Sequence, residues 1–191
     1  MSARARTFLA AALSVVGLFT LVSAASALTV QYTPGGPVTA SGALSFSAGS
    51  LSGTCTGVSL NAALPTGPIP ETAGAPLGNV TGGTVAGCNA AGVPVAVTLL
   101  LPWVLRFVFR LSPGNLLYDA TPAAILIAAG ALRCLYRGNL GVLIPAAGNA
   151  LTLLPMPVPL WLDLNASGLC PANLILSGSL ALSPVQRVSE I

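Results

Sequence analysis

The acidic complement of the chain is Glu71, Asp119, Asp163 and Glu190, and there is no histidine. Serine and cysteine hydrolases need a base to activate the nucleophile, most often histidine, so that chemistry has no partner here. A carboxylate pair could act as general acid and base on a glycoside. Asp119 and Asp163 are the two best able to meet, yet all four acids fall in expected loops or in the tail. Solvated turn residues are the plainer reading. Zinc needs four soft or imidazole ligands, and the chain has no histidine and no close cysteine pair. The glycines around Gly78 and Gly82-Gly83 lack the lysine and the strand–turn–helix setting of a phosphate loop. The chain is therefore expected to be no enzyme and to hold no cofactor.

Cations offer more. Arg106 and Arg110 are spaced by four, as are Arg133 and Arg137. On strands, that spacing puts both members of a pair on one face. If the two strands are neighbours, Arg106, Arg110, Arg133 and Arg137 gather into a candidate anion patch for lipid head groups or acidic glycans. An ordinary wet strand face is the simpler account. Trp103, Phe107 and Phe109 share the opposite phase, and are read as core rather than as the lining of an apolar ligand cavity.

The first 27 residues read as a signal peptide. Arg4 and Arg6 begin it, a charge-free apolar run follows from Thr7 to Val22, and Ala25-Ser26-Ala27 is a small-x-small cleavage site. That leaves residues 28–191 as one β domain. Removing two of seven basic residues leaves five arginines against four acids. So small an excess argues against nucleic-acid binding, which needs a clustered basic surface. Lysine is absent, and charged residues make up 6% of the chain, against about 25% in ordinary domains. Such a chain is expected in a cell envelope, or bound to something apolar.

Cys55, Cys88, Cys134 and Cys170 all follow the leader, and an even count in an exported chain predicts two disulfides. The intervals 55–88 and 134–170 are built alike: strand, proline-rich loop, then glycine shortly before the cysteine. This favours sequential pairing. The rival joins Cys88 to Cys134 around Trp103 in an immunoglobulin-like order, although Leu132 stands where that fold expects tyrosine.

The elements that must position these groups are strands. Residues 93–111 are apolar at every odd position, a period of two that a helix would scatter around its circumference. Nineteen residues in one straight strand would reach roughly 60 Å. That is too long for this chain, whose expected diameter is about 40 Å. Two strands, 93–101 and 103–111, with a bend or hairpin at Leu101-Pro102-Trp103, are expected instead. Further strands are expected over 28–33, 38–48, 54–64, 77–87, 123–131, 132–144, 150–154 and 174–182, and residues 156–164 read as proline-rich, then extended around Trp161. Residues 65–76 read as a proline-rich loop, Ser112-Pro113-Gly114-Asn115 as a turn and 165–170 as another. Glycines inside strand patterns, such as Gly42, Gly138 and Gly178, predict bulges or close packing. About nine or ten short strands with turn chemistry between them predict an antiparallel β-sandwich or closed β-barrel. Prolines 145, 155, 157 and 159 exclude a membrane helix over the long uncharged stretch 138–162.

Thr54-Cys55-Thr56, Gly87-Cys88, Leu101-Pro102-Trp103, the strand pair over 134–154, Gly168-Leu169-Cys170 and Ser177-Gly178 with Leu182-Ser183-Pro184 occur in that order. In these marks the chain resembles a group of small secreted actinobacterial proteins with four cysteines and a Leu-Pro-Trp motif, over about residues 38–185. The resemblance implies secretion and a β-rich fold with two disulfides, and it implies no activity. The chain departs from the group after Trp103, where Val-Leu-Arg-Phe-Val-Phe-Arg-Leu is unusually apolar. The expected role is a non-enzymatic structural or binding protein, secreted or held in the cell envelope, with an anionic envelope surface or an apolar ligand as partner. The alternatives are a β-barrel carrier of an apolar ligand and an envelope-embedded β-barrel.

Overall fold

Alternating side chains make strands that bury one face and wet the other. Strand β2 (Gly36–Ala48) buries Val38, Ala40, Leu44, Phe46 and Ala48 and turns Ser41, Ser45 and Ser47 outward or toward the rim. The same logic runs through the whole of the computed structural model, which describes residues 29–164 and 168–191. The expected leader over residues 1–27, Leu28, and residues 165–167 of the expected turn at 165–170 lie outside the described residues.

The described chain is all-β. After β1 (Thr29–Thr33) and β2 come β3 (Leu51–Leu64), the short β4 (Ile69–Pro70), β5 (Pro76–Ala90) and β6 (Val93–Pro94). Then follow β7 (Ala96–Leu100), β8 (Trp103–Ser112), β9 (Asn115–Ala129) and β10 (Leu132–Ile144). The chain closes with β11 (Ala150–Leu153), β12 (Pro157–Asp163), β13 (Asn173–Ser183) and β14 (Arg187–Glu190).

Of the two expected architectures, the barrel is the one formed, with eight antiparallel staves. β2 pairs β3, β3 pairs β5, β5 pairs β8, β8 pairs β9 and β9 pairs β10. β10 pairs both β11 and β12, these pair β13, and β13 returns to β2. β11 and β12 are two lengths of one stave, broken at Leu154-Pro155-Met156. Consecutive staves are neighbours, and four of the connections between staves are two residues long. Ser112 faces Asn115 across the turn Pro113-Gly114, where Gly114 takes a positive φ that suits glycine. The expected turn is therefore a hairpin.

The stretch 93–111 forms the stave of β6, β7 and β8, and it contains a bend rather than a hairpin. Both β7 and β8 run antiparallel to β9, β7 against Ala124–Ala128 and β8 against Asn115–Thr121. The break falls at Leu101-Pro102, opposite Pro122, where neither proline has an N–H for the ladder. Its length is accommodated because staves tilt and coil around a barrel. The expectation for residues 115–122 was incomplete. These belong to β9, which begins eight residues before the strand expected at 123.

Eight staves enclose a space just wide enough for side chains. Tyr118, Tyr136, Ile125, Leu105, Leu174 and Leu180 are each at most 2% exposed and fill it. Trp103 is also buried, and its indole Nε1 donates to the Leu100 carbonyl at 2.9 Å. Gly42 and Gly138 sit at ladder shifts, as expected of strand glycines. A Cβ on Gly42 would lie 2.8 Å from the Ser179 carbonyl, and one on Gly178 would lie 2.6 Å from that of Ala43. The glycines let β2 and β13 approach closely where the barrel closes.

The two ends differ. At one end β14, β1 and β4 form a separate three-stranded sheet, with Val30 and Tyr32 of β1 fully buried beneath it. At the other end lie both disulfides. Cys55–Cys88 joins residues that face each other in register on β3 and β5, and Cys134–Cys170 ties the β12–β13 connection to β10. Sequential pairing is thus the one formed, and the immunoglobulin-like alternative is not.

Candidate functional site

At the capped end, strand register brings together groups that sequence spacing keeps apart. The ladder of β8 against β9 shifts between Phe107 and Phe109, leaving Val108 as an extra residue. A bulge reverses the phase of everything after it. Phe109 is therefore 48% exposed, against the expectation that it joins Phe107 in the core. Arg110 turns toward the barrel mouth instead. Its Nε donates to Glu71 Oε2 at 3.1 Å and its Nη2 donates to Oε1, a two-pronged ion pair with a carboxylate 8% exposed. Deeper in, the Tyr32 and Tyr118 hydroxyls are hydrogen-bonded to each other. Burial drives both phenols well above their usual range, and the Tyr32 and Glu71 charges raise Tyr118 further. Phe107 packs edge-on against Tyr118 with centroids 6.1 Å apart. The bond between the two hydroxyls links β1 to the barrel wall.

The carboxylates do not assemble a catalytic pair. Asp119 faces Gly141 of β10, whereas Asp163 faces Cys134 on the same strand. Seven residues of strand put them roughly 23 Å apart. Asp119 was expected in a loop and lies in β9; it is held near Asn139 and raised above its usual value by burial. Asp163 accepts a hydrogen bond from the Gly168 amide at 2.8 Å. No group of three histidine, cysteine, aspartate or glutamate side chains that could hold a metal ion occurs among the described residues.

The four arginines of the candidate anion patch do not share one surface. Arg106 faces Asp119 and donates to the Gly74 carbonyl at 2.9 Å. Arg110 is engaged by Glu71. Arg133 and Arg137 face Ala128 and Ala124, toward the disulfide end of the same β9 ladder. Register along β9 separates Arg106 from Arg137 by roughly 16 Å along the strand direction alone. The arginines fall into two pairs at opposite ends. The expectation failed because two strands that share a neighbour need not share a level on it.

The pair at the disulfide end belongs to a group that composition and spacing did not single out. The ladder of β12 against β10 shifts so that Leu162 faces Leu135, Leu160 faces Tyr136, and Trp161 is the extra residue. Trp161 emerges from this bulge 62% exposed, with the Arg137 guanidinium 5.1 Å from its ring centroid. Leu126, Leu135 and Leu162 lie side by side across β9, β10 and β12 on the outer wall. Leu164 and Leu169 are exposed at the rim beyond them. The opposite wall is polar: Ser41 faces Ser59, Ser45 faces Thr54, and Thr39 donates to Asn61 Oδ1 at 3.2 Å. A shallow depression of about 390 Å³ lies on that side, over Phe46 between Ser45, Ser52 and Ser177.

No family model matches the chain, and no curated protein or solved structure matches it.

Proposed function

We propose that the protein is an exported, non-enzymatic binding protein that works through its outer wall at the cell envelope. The observation that carries this reading is the division of the barrel into a filled interior and a two-sided exterior. An apolar carrier needs an empty lumen, and here large side chains such as Tyr118, Tyr136 and Leu140 are buried inside the barrel. An envelope-embedded barrel needs an apolar band on every side and a polar interior. Here the interior is apolar, and the outer faces of β2, β3 and β13 are lined with serine and threonine. The surface-binding reading needs neither lumen nor band.

Two disulfides suit an oxidising compartment. They support export through the leader at residues 1–27, as does the resemblance to small secreted actinobacterial proteins. The absence of histidine and the separation of the carboxylates support a role without catalysis.

The test is fractionation of the full chain after secretion from a bacterial host. The expected result is a cleaved protein, recovered with the envelope and released by salt or a gentle wash without detergent. Recovery entirely in the medium, with no affinity for added envelope, would sink the reading. So would an apolar ligand copurifying at one per barrel.

A further inference from the structure

We propose that the outer wall at the disulfide end, centred on Trp161 and flanked by Arg133 and Arg137, docks onto an anionic lipid surface. The inference rests on the surface-binding reading above and names the surface.

Several independent features converge on this wall. The first is its apolar content: Leu126, Leu135 and Leu162 form a continuous cross-strand row, and Leu162 is 48% exposed. Trp161 at 62% and Leu169 at 74% stand higher still. Scattered exposed leucines are ordinary, but a contiguous apolar patch rimmed by polar groups marks an interaction site. The second is charge. Register places Arg106, Arg110 and Arg187 toward the capped end with Glu71, Asp119 and Glu190. The disulfide end holds Arg133, Arg137 and the single acid Asp163, whose carboxylate is occupied by the Gly168 amide. This end is therefore the cationic one. The third is the mix of types. Arg137 lies against the Trp161 ring, so the aromatic body and the charge share one depth. Tryptophan and arginine with an apolar stem and a polar tip belong at the level of lipid head groups.

Shape favours a flat partner. The wall is the outside of a closed barrel, a convex face. A plane of phosphates above acyl chains can meet the cations and the apolar side chains at once. The patch is also held in place beforehand. Cys134–Cys170 ties the rim to β10, and the Leu164 amide donates to the Arg133 carbonyl at 2.9 Å. Little ordering is then required on contact.

Sedimentation with sucrose-loaded vesicles tests the proposal, using the oxidised protein and equimolar phosphatidylglycerol and phosphatidylcholine, with pure phosphatidylcholine as the comparison. Binding to the anionic vesicles is expected, weakening as salt rises, with a blue shift of the Trp161 emission over the constant signal of buried Trp103. R133Q/R137Q is expected to weaken binding by about thirtyfold, near fivefold for each arginine. L162S should weaken it as well. L111S, which changes an exposed leucine at the capped end, should leave it unaltered. Circular dichroism identifies any variant that fails to fold, and the single substitution R137Q then stands in for the double one. Equal binding by wild type and R133Q/R137Q overturns the proposal. Binding to isolated cell wall but not to vesicles overturns the lipid assignment and leaves the surface-binding reading standing. Binding to neither removes both. A concentration-dependent dimer abolished by L162S would assign the wall to self-association, which also overturns it.

Discussion

The hydroxyls of Tyr32 and Tyr118, 86 residues apart in sequence, are hydrogen-bonded inside the barrel mouth. That bond joins β1, outside the barrel ladder, to the wall of the barrel. It also makes the fold sensitive to alkali. Burial raises the folded pKa of Tyr32, Tyr118 and Tyr136 above the ordinary value of 10.0. A folded pKa above the unfolded one gives stability that is complete below the unfolded value and is lost as pH rises toward the folded one. The expected loss above pH 10 is about 1.4 kcal/mol per pH unit for each tyrosine still protonated in the folded state. The chain has no lysine, and its four cysteines are bonded, so no other side chain titrates near that pH. Urea midpoints between about pH 9 and 11.5 should fall accordingly, and Tyr118→Phe should make the fall shallower. Tyrosinate absorbance appearing before unfolding would contradict this.

Glu71 and Arg110 hold the same mouth together from the loop after β4. The pair is partly buried, so it is worth more than a surface ion pair. Glu71→Gln keeps the shape and removes the charge, and should cost about 1–3 kcal/mol. A double-mutant cycle with Arg110→Gln isolates the coupling. A coupling energy near zero by urea denaturation would show that the pair contributes nothing.

Each disulfide closes a loop, with separations of 33 and 36 residues. In the chain-entropy account each contributes on the order of 3.5–4 kcal/mol. Replacing Cys55 and Cys88 together by serine should lower stability by about that amount. The Cys134/Cys170 double variant should do likewise and also weaken vesicle binding, because it frees the rim. Non-reducing peptide mapping should yield Cys55 joined to Cys88 and Cys134 joined to Cys170. A Cys88–Cys134 peptide would contradict the fold.

Trp103 and Trp161 should behave as opposites. Trp103 is 3% exposed and fills the core, so Trp103→Ala should cost about 3–5 kcal/mol. Trp161 is 62% exposed, and Trp161→Ala should change stability by about 0.5 kcal/mol or less. Emission in a Trp161→Phe background should be that of a buried indole.

Strand content and one-sided burial were legible in the sequence because they depend on local alternation, and the like build of the two cysteine intervals favoured the pairing that formed. Val38 to Ala48 alternates so regularly that β2 follows, and the expected strand over 132–144 matches β10. The closure of the barrel was not legible. Sandwich and barrel share the same inward and outward pattern, and pairing of β13 with β2 depends on how the staves tilt. Two bulges decided the rest. One extra residue at Val108 sent Phe109 outward and Arg110 onto Glu71, and another at Trp161 set that ring under Arg137. A bulge is defined by two strands against each other, so neither strand's sequence reveals it alone. For the same reason the four arginines looked like one face by spacing, and tertiary register divided them between the capped end and the disulfide end of the barrel.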